Sequence, residues 1–146
     1  MAGTNGNRRG PARARERAIS ANMEDYLEAI YVLAGQDGAA RVSAIADALG
    51  VKRPSVSKAL KRLKALSLIQ HSPYGGVGMT LRGRKLAQEQ VRIHRVLTRF
   101  LTDVLKLPAE LAEHDACLIE HAISPATVER LVEFIARHDR LQSDRA

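Results

Sequence analysis

The segment Val42-Ser43-Ala44-Ile45-Ala46-Asp47-Ala48-Leu49-Gly50-Val51-Lys52-Arg53-Pro54-Ser55-Val56-Ser57-Lys58 decides the fold. Its first half carries apolar residues at helical spacing, with Ser43 offered as a cap, and stops at Gly50. A glycine there tolerates the left-handed backbone of a tight turn. The second half opens with Pro54 in a first helical turn, where a missing N–H costs nothing. Ala46 is small enough to let two helices approach closely, and Val51 and Val56 are expected to plug the gap between them. Two short helices joined in this way make a helix-turn-helix.

The second helix, predicted over Lys52 to Leu66, holds six Lys or Arg between positions 52 and 64 and no acid. A solvated charged face is the plain explanation for such a run. A helix carrying +6 repels itself, however, unless a polyanion lies against it. Lys52, Arg53, Pro54, Ser55, Ser57, Lys58 and Arg62 are the candidate DNA-contacting residues, placed to meet base edges and phosphates in a major groove. Two strand-like runs follow, Leu68 to Ser72 and Val77 to Leu81, around Pro73-Tyr74-Gly75-Gly76. They predict a β-hairpin, which is the wing of a winged helix.

Upstream, Ser20 and Asn22 offer caps for a helix from Met23 to Gly35 with apolar Tyr26, Leu27, Ile30 and Tyr31. Downstream, Thr80 caps a long predicted helix from Leu81 to about Leu105, which Leu107-Pro108 breaks. A fifth helix runs from Pro108 to about Ile123, and Ser124-Pro125 opens a sixth that ends near His138. The fold class is mainly α with a small β-hairpin wing. An N-terminal winged helix-turn-helix domain (20–82) precedes a C-terminal helical domain (83–146), and residues 1–19 form an Arg-rich, disordered arm.

Composition narrows the functions. The 146 residues carry 23 Lys+Arg against 16 Asp+Glu, a net +7, which favours a polyanionic partner. The arm supplies +4 of this from five Arg and Glu16, so the remainder is only mildly basic. No Trp, two Phe and three Tyr make stacking on single-stranded nucleic acid a poor fit. One cysteine forms no internal disulfide and no zinc knuckle. No apolar run reaches the roughly 18 residues of a membrane span, and the basic start leads into no apolar signal region. The expected protein is cytoplasmic, with no membrane partner and no small-molecule substrate.

Metal-donor residues cluster outside the DNA-reading segment. Asp25 and Glu28 are spaced i, i+3 on the first helix, and Cys117, Glu120 and His121 share one face of the fifth. His94 lies mid-way along the long helix. Each has an ordinary alternative: first-turn acids complementing a helix dipole, a small buried thiol, a surface histidine. Together they offer O, N and S donors suited to a divalent transition ion.

Over about residues 22–138 the sequence resembles the diphtheria-toxin-repressor and manganese-transport-regulator family of metal-dependent transcriptional repressors. The residues concerned are Met23-Glu24-Asp25-Tyr26-Leu27-Glu28-Ala29-Ile30-Tyr31, Arg53-Pro54-Ser55-Val56-Ser57, Leu81-Arg82-Gly83-Arg84-Lys85-Leu86-Ala87, His94, and Cys117-Leu118-Ile119-Glu120-His121-Ala122-Ile123-Ser124. The resemblance implies a winged helix joined to a helical dimerisation domain, with metal where the two meet. It implies a homodimer on a palindromic operator. Little chain follows the sixth helix, so the short branch without an SH3-like domain is the better match.

Within that resemblance, Asp25, Glu28, His94, Glu120 and His121 match ligands of the manganese branch, whereas Cys117 stands where that branch has Glu and the iron branch has Cys. A thiolate is the softer donor. The metal, Mn(II) or Fe(II), is therefore left open, and Thr98 takes the place of an acidic ancillary ligand. The expected function is a metal-activated repressor of metal-homeostasis genes and not an enzyme. Its rivals are a winged-helix regulator answering a small organic ligand or thiol oxidation at Cys117, and a hydrolase using Glu120 as base.

Overall fold

The computed structural model describes residues 20–35, 37–72 and 75–145. The Arg-rich arm expected over residues 1–19 lies outside the described residues. Helix α1 spans Ala21–Ala34, with the Ser20 hydroxyl accepting from Met23 N–H at 3.4 Å. Of the two proposed caps, Ser20 serves. Its buried face, Met23, Tyr26, Leu27, Ile30 and Ala34, has the helical periodicity read from the sequence.

Helices α2 (Val42–Leu49) and α3 (Arg53–Ala65) are joined through Gly50, whose φ of 62° and ψ of 33° are left-handed. Ala46 is buried at the crossing and Val56 is fully buried. Two expectations need correction. Helix α2 begins at Val42, so Ser43 lies inside its first turn, and the capping position is Arg41, whose side chain makes no capping bond. Val51 is exposed at the rim, because it follows the left-handed glycine at the outer edge of the turn, and Val56 fills the gap alone.

Strands β1 (Ile69–His71) and β2 (Val77–Met79) pair antiparallel with Ile69 opposite Met79. Ala40 adds an isolated bridge to Val77, which ties the loop before α2 to the wing. Thr80 then starts α4 (Leu81–Arg99): its hydroxyl accepts from Gly83 N–H at 3.1 Å and donates to the Ser67 carbonyl at 2.7 Å. Arg82 donates to the Leu66 carbonyl at 3.1 Å. These bonds seat the long helix on the turn between α3 and the wing.

The long helix widens into a π-helical turn at Phe100–Val104, and Leu107-Pro108 then breaks the chain before α5 (Ala109–Ile119). Helix α6 (Pro125–Ser143) has the expected Ser124 cap, with Ser124 Oγ accepting from Thr127 N–H, and it runs five residues past His138. Arg92 bridges Glu89 and Glu129, and Arg99 reaches Asp139, so α6 is tied to α4 along its length.

Two apolar cores result. One gathers α1, α2, α3, the wing and Ala87 of α4; the other gathers Leu97, Leu101, Ala112 and Ala116. The long helix enters both. Between them, α1 crosses α4 close to the end of α5, and Asp25, Glu120 and His121 meet there.

Candidate metal centre and DNA-reading surface

Helix α5 ends at Ile119, so Glu120 is its cap and His121 lies in the following turn rather than on the helix proper. Glu120 keeps right-handed helical angles, and its N–H still bonds the Ala116 carbonyl, so the shared face continues past the helix end. Its carboxylate is nearly buried, the one buried charged group among the described residues. Such a group needs partners. It has two histidines: Oε2 lies 2.6 Å from His94 Nδ1, and Oε1 lies 3.4 Å from His121 Nε2.

His121 Nε2 is also 2.9 Å from Asp25 Oδ1, across from α1. One donor atom each from Asp25, Glu120 and His121 lies within 4.8 Å of the others, a cluster of the size that one ion occupies. The donor chemistry, two carboxylates and an imidazole with a second imidazole adjoining, fits a divalent transition metal. Glu28 and Cys117 line the same cavity of about 720 Å³ as Asp25, Glu120 and His121, without joining the close trio. His94 connects through Glu120. The structure thus brings three of the six sequence-predicted residues into direct proximity and sets the other three around them.

Electrostatics reflect the crowding. Burial pushes the Glu28 carboxyl above the usual carboxylate range, and the Glu120 charge adds to it. Burial also raises the Cys117 thiol, with Glu120, Glu113, Glu28 and Asp25 acting in the same direction. For both histidines burial works downward. Hydrogen bonds that Glu113 and Glu120 accept from His94, and that Glu24 accepts from His121 with the Asp25 charge beside it, outweigh burial and raise both rings.

Two carboxylates of this constellation were missed in the sequence. Glu24 Oε2 is 2.5 Å from His121 Nδ1, and Glu113 Oε1 is 2.8 Å from His94 Nε2. A signal existed for each. Glu113 lies one turn before Cys117, and Glu24 one turn before Glu28, so both share the faces already identified.

The candidate DNA-contacting residues lie on the outer face of α3 and the turn before it. Lys52, Arg53, Pro54, Ser55, Ser57, Lys58 and Arg62 are exposed, while Val56, Ala59, Leu60 and Leu63 face inward. Lys64 donates to the His71 carbonyl at 3.3 Å and so braces the wing against α3.

Residues 18–77 match the model of the iron dependent repressor N-terminal DNA binding domain, and residues 80–141 match its metal binding and dimerisation domain. The chain belongs to the iron-dependent repressor family. It is 40% identical over 116 residues to the transcriptional regulator MntR of Salmonella typhimurium, covering 80% of this chain and 73% of that protein. It is 34% identical over 126 residues to the HTH-type transcriptional regulator MntR of Bacillus subtilis, covering 84% and 88%. Among solved structures, the manganese regulator SloR superposes with a TM-score of 0.71 at 33% identity, over 81% of this chain and 55% of that one. The repressor ScaR with bound Zn(II) gives 0.68 at 31%, over 79% and 54%. The chain thus spans about half the length of these two solved relatives. This family member is a regulator and not an enzyme, with DNA and a second copy of itself as partners.

Proposed function

We propose that this family member represses transcription in response to a divalent ion, Mn(II) or Fe(II), held where the winged helix-turn-helix domain (20–82) meets the helical domain (83–146). Asp25, Glu28, His94, Cys117, Glu120 and His121 would hold the ion. When bound, the ion supplies positive charge and coordination to carboxylates that otherwise repel one another. The single observation carrying this reading is the proximity of Asp25, on α1, to Glu120 and His121, at the end of α5.

The chain's own residues supply the coupling. Asp25 and Glu28 belong to α1, which packs against α2 and α3, so their position sets the attitude of the reading head. Glu120 and His121 belong to the dimerisation half. Drawing the two pairs together narrows the range of head orientations and shifts the ensemble toward the spacing that a palindromic operator requires. A coupling of about 1–3 kcal/mol changes operator affinity roughly 5- to 150-fold, and DNA tightens ion binding equally.

Leu111, Leu118 and Phe134 remain exposed on the helical half after Leu97, Leu101 and Ile135 enter its core, and that apolar surplus suits a homodimer contact. Among the described residues no helix is long and apolar enough to cross a membrane. A DNA-bound regulator of metal homeostasis genes belongs in the cytoplasm.

An organic effector is the second reading, favoured by the apolar part of the cavity, where Ala29, Val32, Leu33, Leu49 and Leu118 adjoin the centre. Oxidant sensing is disfavoured, because burial and then the neighbouring carboxylates raise the Cys117 thiol, which works against the reactive thiolate. The deciding experiment titrates operator DNA with metal-free protein, then with Mn(II), Fe(II) and chelator, anaerobically. Metal-dependent affinity supports the ion; affinity equal under all conditions overturns it.

A further inference from the structure

Basic charge is concentrated in two segments of this chain. One is the exposed face of α3. The other is the stretch before α1, which holds Arg8, Arg9, Arg13, Arg15 and Arg17 against Glu16 alone. Between them, residues 20–51 carry one Arg and five acids. DNA contact through α3 leaves the first segment without a role, and its arginines all lie ahead of the matched DNA binding domain. We infer that this N-terminal arm is a second DNA-contacting element, laid along the minor groove beside the major groove that α3 meets. The inference rests on DNA binding by α3 and is independent of the metal centre.

The point of attachment favours it. Ser20 is exposed and caps α1, its hydroxyl accepting from Met23 N–H and its carbonyl from Glu24 N–H at 3.0 Å. Ala21, the next residue, lines the same cavity as Ala48 and Leu49 at the end of α2. Leu49 stands three residues before Lys52, which caps α3. The arm therefore joins the fold on the side where the helix-turn-helix turns into its DNA-contacting helix. Arg8 is twelve residues from Ser20. A separation of that length spans at most about 40 Å, and one turn of duplex about 34 Å. The neighbouring minor groove is within range.

The side chains suit a narrow groove. From Ala2 to Ala18 every residue other than Arg and Glu16 is Gly, Ala, Pro, Thr or Asn. A chain so slender fits a minor groove about 6 Å wide. All the cations of the arm are Arg, whereas four of the six between positions 52 and 64 are Lys. A guanidinium is planar and more weakly hydrated than an ammonium, which favours it where charge leaves water for the floor of a groove.

The acidic centre is the competing occupant within the protein. Asp25 and Glu120 already engage His121, and Glu120 also engages His94, so few carboxylate oxygens remain for five guanidinium groups. A duplex presents one phosphate charge per about 1.7 Å of axis and meets all of them together.

The experiment compares full-length wild type with a full-length variant combining Arg8→Gln, Arg9→Gln, Arg13→Gln, Arg15→Gln and Arg17→Gln. A duplex is selected from random-sequence DNA by the wild type with Mn(II). It is then synthesised twice, once with 2,6-diaminopurine replacing adenine. That base adds an amino group to the minor groove and leaves the hydrogen-bonding edge in the major groove as it was. Fluorescence anisotropy over a range of salt gives each affinity, and thermal melts check that both proteins share one fold. The variant should bind the ordinary duplex about 10-fold more weakly, with the slope of log affinity against log salt lower by about 2. Diaminopurine should weaken the wild type about 10-fold and leave the variant unaffected.

Equal affinity and slope in the two proteins overturns the inference. A lower slope in the variant, with diaminopurine acting alike on both proteins, puts the arm on phosphates alone and overturns the groove assignment. Unchanged DNA binding with tighter calorimetric Mn(II) binding in the variant overturns it in favour of the acidic centre. Wild-type binding that ignores Mn(II) and chelator removes the metal reading, and the two duplexes still decide the arm. Lys58→Ala, measured alongside, separates a fault in placing α3 from a fault in placing the arm.

Discussion

Gly83, in the first turn of α4, lies against the backbone of Leu68 so closely that a Cβ built on it would overlap the Leu68 carbonyl oxygen and stand 2.8 Å from its carbon. Neither group can move cheaply: Leu68 is fully buried, and its carbonyl accepts from Thr80 N–H at 3.1 Å. The glycine is therefore required by proximity rather than by its dihedral angles.

Gly83→Ala should destabilise the protein by about 1–3 kcal/mol, as overpacked sites do, despite the better helix propensity of alanine. Urea denaturation measures it. A variant as stable as the parent would mean that the long helix is seated less tightly than the contact implies.

The histidine environment fixes a pH dependence for the metal-free protein. Both His94 and His121 are raised in the folded state, so their contribution is complete below the ordinary histidine value of about 6.5 and is lost as pH rises through the folded values. The raised Glu28 acts in the same sense at lower pH. Chemical denaturation in chelator should show stability falling above about pH 6.5, with a smaller fall in His94→Gln. Metal affinity should move oppositely and increase with pH, because binding displaces protons.

Cys117 is expected to bias the choice of ion. Replacing it by glutamate exchanges a soft donor for a hard one and should move preference from Fe(II), Co(II) and Zn(II) toward Mn(II). Competition titrations on the wild type and Cys117→Glu check this. An identical order of preference in both would remove the thiol from the ligand set.

Lys58 is exposed on the first turns of α3 and should meet a phosphate. Lys58→Ala should weaken operator binding and lower the slope of log affinity against log salt by about 1. An unchanged slope would shift the DNA-facing side of α3 away from Lys58.

Much of this fold is legible in the chain because single residues dictate its turns. Ala46, Gly50 and Pro54 specify the helix-turn-helix, while Ser20, Thr80 and Ser124 start helices where their hydroxyls accept N–H bonds. The π-helical turn at Phe100–Val104 has no comparable marker in the sequence, and it lies at the second core, where Leu101 is buried. Val51 misled because apolar character was taken for burial, and its exposure depends on where the turn points it.

At the site, donor types and helical spacing pointed to six candidate residues, of which Asp25, Glu120 and His121 lie close together. Spacing does not reveal which nitrogen of a ring faces which carboxylate. Glu24 and Glu113 therefore became visible only with side chains in place.

Cys117 is exposed on α5 and contributes to neither apolar core. That one side chain can consequently be exchanged without renegotiating how the polypeptide folds. A change of donor at that position leaves the architecture untouched.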